Sequence, residues 1–168
     1  MKDEVTGWVA GRIPDGWFSG PPTVELDREE LLIVGSLADV SLEDGATPAA
    51  TAAARSARAS RFREETRAQR MRIADEAEHR FGRKVSWGVR IGDETLLFTT
   101  ISVPVMTRLR QNERRVLDTL VEAGVARSRS DALAWCVKLV GANQAEWIQS
   151  LQDALTHVEK VRAEGPST

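Results

Sequence analysis

Val103–Val140, VPVMTRLRQNERRVLDTLVEAGVARSRSDALAWCVKLV, decides the fold. Val103, Val105, Thr107 and Leu109 alternate with Pro104, Met106, Arg108 and Arg110, the two-residue period of a half-buried strand. From Asn112 the period lengthens. Val116, Leu117, Leu120 and Val121 share one side of a helix, with Glu113, Arg114, Arg115, Asp118 and Glu122 around the rest. Gly124 supplies the stop. Ser128-Arg129-Ser130-Asp131 then places an acid three residues after a serine, a capping box that opens a second helix. That helix is expected to turn Leu133, Cys136, Val137, Leu139 and Val140 inward.

This order of strand, helix, glycine turn, capped SRSD and helix resembles the ribbon-helix-helix family, over about forty residues of the 168. The resemblance implies a homodimer in which one strand from each chain forms a two-stranded ribbon for the major groove of double-stranded DNA. So short a motif cannot enclose a core alone, and two copies must share one. On this chain the outward strand positions are Pro104, Met106, Arg108 and Arg110, so Met106, Arg108 and Arg110 are the implied base contacts. Only the arginines carry the fork that reads guanine. Arg127, Ser128, Arg129 and Ser130 are the implied phosphate contacts, because the first turn of a helix leaves N–H groups unpaired at the positive end of its dipole.

Composition bounds the rest. A 168-residue chain with 42% hydrophobic and 29% charged residues is of the soluble globular class, sized for one domain or two small ones. The net charge of −2 conceals an uneven distribution: residues 1–45 carry −7, residues 46–141 carry +7 and the remainder −2. A basic middle suits a polyanion, and an acidic front could shield it. The single cysteine, Cys136, excludes an intrachain disulfide and is expected buried among apolar neighbours. His79 and His157 have no ligand-spaced partners, so no metal or other cofactor is expected. No run has signal-peptide character or approaches the roughly 20 apolar residues of a membrane span, so cytoplasm is the expected compartment and no membrane partner is implied. Nineteen arginines against four lysines, with abundant alanine, suggest a GC-rich bacterial genome.

Upstream, residues 1–23 hold Trp8 and Trp17 among glycines and prolines, which argues for an irregular segment pinned by its aromatics. Thr23–Leu26 and Leu31–Leu37 read as a hairpin about a polar turn. Ser41–Ser60 is either a flexible linker or a helix capped by Thr47 with Pro48 first, running from Ala49 or Ala53. Phe62, Thr66, Ile73, Ala77 and Phe81 continue a helical stripe to Gly82, surrounded by Arg55, Arg58, Arg61, Arg63, Arg67, Arg70 and Arg72. That arginine-rich helix is a second candidate for phosphate contact. Its alternative is a solvated face with Arg61–Glu65 and Arg72–Glu76 pairs. Val85–Ile91 and Thr95–Ile101 read as a second hairpin, giving a ββαββ unit with one helix over a four-stranded antiparallel sheet. After Gly141 and Asn143, residues 144–162 carry a clean apolar stripe expected to pack within the chain.

The expected class is α+β: residues 1–102 an α+β unit with an irregular Trp-containing N-terminus, 103–141 the ribbon-helix-helix-like motif, 142–163 an amphipathic helix and 164–168 a disordered tail. No phosphate loop, nucleophile elbow or placed base is present, and no enzyme is expected. The functional expectation is a homodimeric DNA-binding protein, a transcriptional regulator, whose N-terminal unit takes a protein or small-molecule effector. The alternative is a non-enzymatic adaptor or scaffold in which the same motif only dimerises.

Overall fold

A computed structural model describes residues 1–43 and 45–165 and is of mixed α+β class. The chain divides into two compact units, Met1–Pro104 and Val105–Thr168.

The first unit runs α1 (Lys2–Arg12), β1 (Thr23–Leu26), β2 (Glu30–Leu37), α2 (Pro48–Glu65), α3 (Arg67–Phe81), β3 (Lys84–Ile91) and β4 (Glu94–Leu97). Its sheet has the order β1-β2-β3-β4. Both hairpins form, the second with a shorter arm than the expected Thr95–Ile101: β1 pairs antiparallel with β2 from Thr23↔Val34 to Leu26↔Leu31, and β3 with β4 from Gly88↔Leu97 to Ile91↔Glu94, β4 ending at Leu97. In the first turn Asp27 Oδ1 accepts from the Glu29 and Glu30 amides at 2.8 and 2.6 Å, which holds its carboxyl below the usual aspartate range. The sheet is nevertheless mixed and not antiparallel throughout, because β2 and β3 are parallel from Glu30↔Lys84 to Leu37↔Ile91. The helices between them return the chain to the starting end of the sheet, the crossover that parallel neighbours require.

Two further expectations change here. Residues 2–12 are helical, not irregular. Val5 and Val9, one turn apart, are fully buried with Leu31, Ile33, Ile73 and Trp87. Their burial outweighs the cost of Gly7 and Gly11, about 1 kcal/mol each. The long helix is also two. Thr66 Oγ1 donates to the Phe62 carbonyl at 2.6 Å, a back-bond that bends helices, and the break falls on it. The caps are as read: Thr47 Oγ1 accepts from Ala50 N at 3.2 Å, and Gly82 closes α3 with φ 65°. Trp17 packs edge-on against Phe62 and Trp87.

The second unit holds α4 (Gln111–Glu122), α5 (Arg129–Asn143) and α6 (Ala145–Glu164). Leu117, Ala126 and Ala132 are its fully buried side chains, with Leu109, Leu120, Val121, Leu133 and Cys136 packed around them. Gly124, φ 72°, makes the turn between α4 and α5. Several inward assignments fail. Val137, Leu139 and Val140 are exposed, Val116 likewise, and Cys136 is half-buried. Gly141 lies within α5, which ends at Asn143. No α6 residue is buried, so its apolar stripe is not packed within the unit. Glu164 belongs to α6; of the expected tail, residues 166–168 lie outside the described residues.

Candidate nucleic-acid interface

Residues 99–110 carry no regular structure, so the strand expected at 103–109 has no ladder partner in this chain. An extended backbone without a neighbour leaves its N–H and C=O groups to water. Leu109 alone joins the apolar cluster, and Arg114 Nη1 donates to the Leu109 carbonyl at 2.8 Å, fixing that end of the segment. Val105 is 85% exposed and Met106 96%, so both faces of the expected strand stand open.

Of the residues read as base contacts, Met106, Arg108 and Arg110 all project from this segment into solvent. Arg110 is also the extended N-cap residue of α4. Neither arginine side chain has a hydrogen-bond or ion-pair partner among the described residues, which leaves both guanidinium forks available. Arg114 and Arg115, on the first turns of α4, extend this basic end and were not singled out by sequence reading.

The phosphate set is brought together at the start of α5, but much of its charge is spent internally. Ser128 Oγ accepts from Asp131 N at 3.2 Å, the capping contact read from the sequence. Asp131 Oδ2 accepts from Arg127 N at 3.0 Å and from Arg127 Nε at 3.4 Å. Arg129 makes a two-pronged pair with Asp118, Nε to Oδ1 at 2.6 Å and Nη2 to Oδ2 at 2.8 Å. The Arg127 amide holds Asp131 below the usual carboxylate range, and the Arg129 hydrogen bond does the same for Asp118. Two arginines therefore face two ionised carboxylates, and the patch is close to neutral. What it still offers an anion is the Arg129 and Ser130 N–H groups of the first turn and the exposed hydroxyl of Ser130.

The arginines of α2 and α3 are scattered among different partners. Arg55 clamps Asp39 at 2.6 Å and Asp93 at 2.8 Å, and Arg61 leans on Glu65 at 4.0 Å. The expected Arg72–Glu76 pair is replaced: Glu76 takes both prongs of Arg12 at 2.6 Å. Arg70 is buried. Among the described residues no group of three His, Cys, Asp or Glu side chains is placed to hold a metal, and no helix is long and apolar enough to cross a membrane.

Comparison with known proteins bears on the two units separately. Residues 3–97 match the family model described as the Rv1265-like protein, N-terminal domain, and residues 110–162 match the Mb1296 C-terminal domain. The chain is 59% identical over 160 residues to "Uncharacterized protein Mb1296" of Mycobacterium bovis, covering 95% of this chain and 69% of that protein. The same figures hold for "Uncharacterized protein Rv1265" of Mycobacterium tuberculosis. No solved structure matches the chain. With more than half its length under one family model and this identity along nearly all of it, the chain belongs to the Rv1265-like protein family.

Proposed function

We propose that this chain is a cytoplasmic, homodimeric, ribbon-helix-helix-like DNA-binding protein that regulates transcription, with no cofactor and no catalytic step of its own. The observation that carries the reading is the open segment Val103–Arg110 leading into a helix pair that, among the described residues, seals only Leu117, Ala126 and Ala132. A second copy laid antiparallel along that segment pairs its free backbone groups, covers Val105 and adds the apolar area the helices lack. Arg108 and Arg110 then lie on the ribbon's outer face as the readers, and the first-turn N–H groups of α5 hold a phosphate.

The test joins light scattering with a salt-titrated duplex-binding assay. The expected species is a dimer, and Arg108→Ala should lose about 1–3 kcal/mol at a specific site while relaxing its specificity. A stable monomer, or a dimer that binds no duplex at low salt, would sink the DNA reading.

A second reading, an adaptor or scaffold, draws on Met106, 96% exposed and apolar at a reading position, and on the neutralised patch at the start of α5. It predicts that Arg108→Ala leaves partner binding intact while loss of the dimer abolishes it.

A further inference from the structure

The first unit contains a cavity built around a buried cation that has no acid. Arg70 is only 5% exposed. Its Nε donates to Thr66 Oγ1 at 2.9 Å and its Nη2 to the Arg63 carbonyl at 2.7 Å. The guanidinium carbon stands 4.9 Å from the centre of the Phe98 ring and 6.0 Å from that of Trp87. No carboxylate among the described residues pairs with it. Arginine cannot shed its charge in a protein, and buried charges are ordinarily paired, so this one is incomplete as it stands. Nη1 makes no hydrogen bond among the described residues.

Arg70 lines a cavity of about 420 Å³ together with Arg63, Glu64, Arg67, Phe98 and Thr99. Its lining residues include three arginines and one glutamate, a formal excess of two positive charges. Burial, then the like charges of Arg63 and Arg67, pull the Arg70 pKa below its ordinary value. A bound anion would relieve both effects.

We infer that this cavity is a binding site for a small dianion, of the phosphate or dicarboxylate class. Arg70 is its central donor, and Arg63 and Arg67 complete the charge. Two negative charges match the local excess, and a buried, preoriented fork is the residue type suited to either oxyanion. The volume lies within the range of small-molecule sites, and the Phe98 ring that supports the guanidinium leaves the fork little freedom to lose on binding. This site stands whether or not the second unit grips DNA, and it gives the first unit a specific class of effector.

The experiment is calorimetric titration of the full chain with inorganic phosphate and, separately, with succinate, each against sodium chloride of matched ionic strength. Saturable binding of one anion per chain is expected, and whichever of the two binds more tightly names the class. Arg67→Gln should weaken binding by about tenfold or more, as loss of a charged hydrogen bond does, and Arg70→Gln should abolish it. Arg61→Gln takes the same charge from the same helix pair, but Arg61 lines a different cavity, so binding should be unchanged. The site is refuted if neither anion saturates, if Arg67→Gln binds as well as wild type, or if Arg61→Gln loses as much as Arg67→Gln. If Arg70→Gln does not fold, the Arg67 and Arg61 variants decide.

Discussion

Asp118 and Arg129 show how far a single residue's role can depend on a partner distant in sequence. Arg129 sits where a phosphate-binding arginine would, one residue past the serine cap, yet both prongs of its fork are taken by Asp118. Asp118→Asn should release that fork and strengthen duplex binding at low salt without changing sequence preference, since the gain is to phosphate alone. The same pair bears on acid stability. Hydrogen bonding to Arg129 holds Asp118 below its ordinary 3.8, so its contribution is present at neutral pH and fades as pH falls through the depressed folded value. Urea midpoints of wild type and Asp118→Asn should therefore differ at pH 7 and draw together as pH falls below the ordinary aspartate range. A gap that does not shrink at all as pH is lowered would mean the contact is not ionic. The Ser128 cap was legible because its partner is three residues away; the Asp118 pair was not, because nothing local marks two side chains on different helices as neighbours. Ser86 makes a second case. Its hydroxyl is sealed in β3 without a partner among the described residues, so Ser86→Ala should leave stability unchanged or raise it by up to about 1 kcal/mol, read as a denaturant midpoint.

Among the elements, those with local signals were readable and those defined by distant pairing were not. Both hairpins announce themselves by polar turns, and α2 by Thr47-Pro48. The parallel seam between β2 and β3 joins strands on either side of a long helical excursion, and alternation within each strand is silent on direction. Helix α1 was hidden for another reason: glycines lower its propensity, and only the core around Val5 and Val9 makes it pay. Gly35 in β2 was equally mute. A methyl group there would fall inside the Phe18 ring, so Gly35→Ala should destabilise the first unit by about 1–3 kcal/mol. Phe18→Leu alone should also destabilise, but added to Gly35→Ala it should cost less than the sum, because it vacates the contested space. Strict additivity in that cycle would show that the alanine is accommodated elsewhere.

For the molecule as a whole, the apolar periods of the second unit were legible as faces, whereas what covers them was not. A stripe in sequence marks a surface that avoids water, and it is silent on whether the cover is in the same chain. The α6 stripe illustrates this: Trp147, Leu151, Leu155, Val158 and Val161 are each about half exposed or more, with no cover within the unit. The expected cover for the segment ahead of α4 is a second copy, and that has a geometric signature which simple association lacks. In an antiparallel ribbon about a two-fold axis, only the residue on the axis, or the two flanking it, faces its own counterpart. There the α-carbons lie about 4.5–5.5 Å apart, within disulfide range, and they separate quickly on either side. In a Cys136→Ser background, single cysteines placed in turn at Val103, Val105, Met106, Thr107 and Leu109 should give interchain disulfides under mild oxidation with one sharp maximum. Yields should fall at positions away from it, and Leu133→Asp, which disrupts the cluster beneath, should flatten the whole profile. A maximum that survives Leu133→Asp, or uniform yields across all five positions, would point to chance collision and remove the ribbon, and with it the assignment of Arg108 and Arg110 to its outer face.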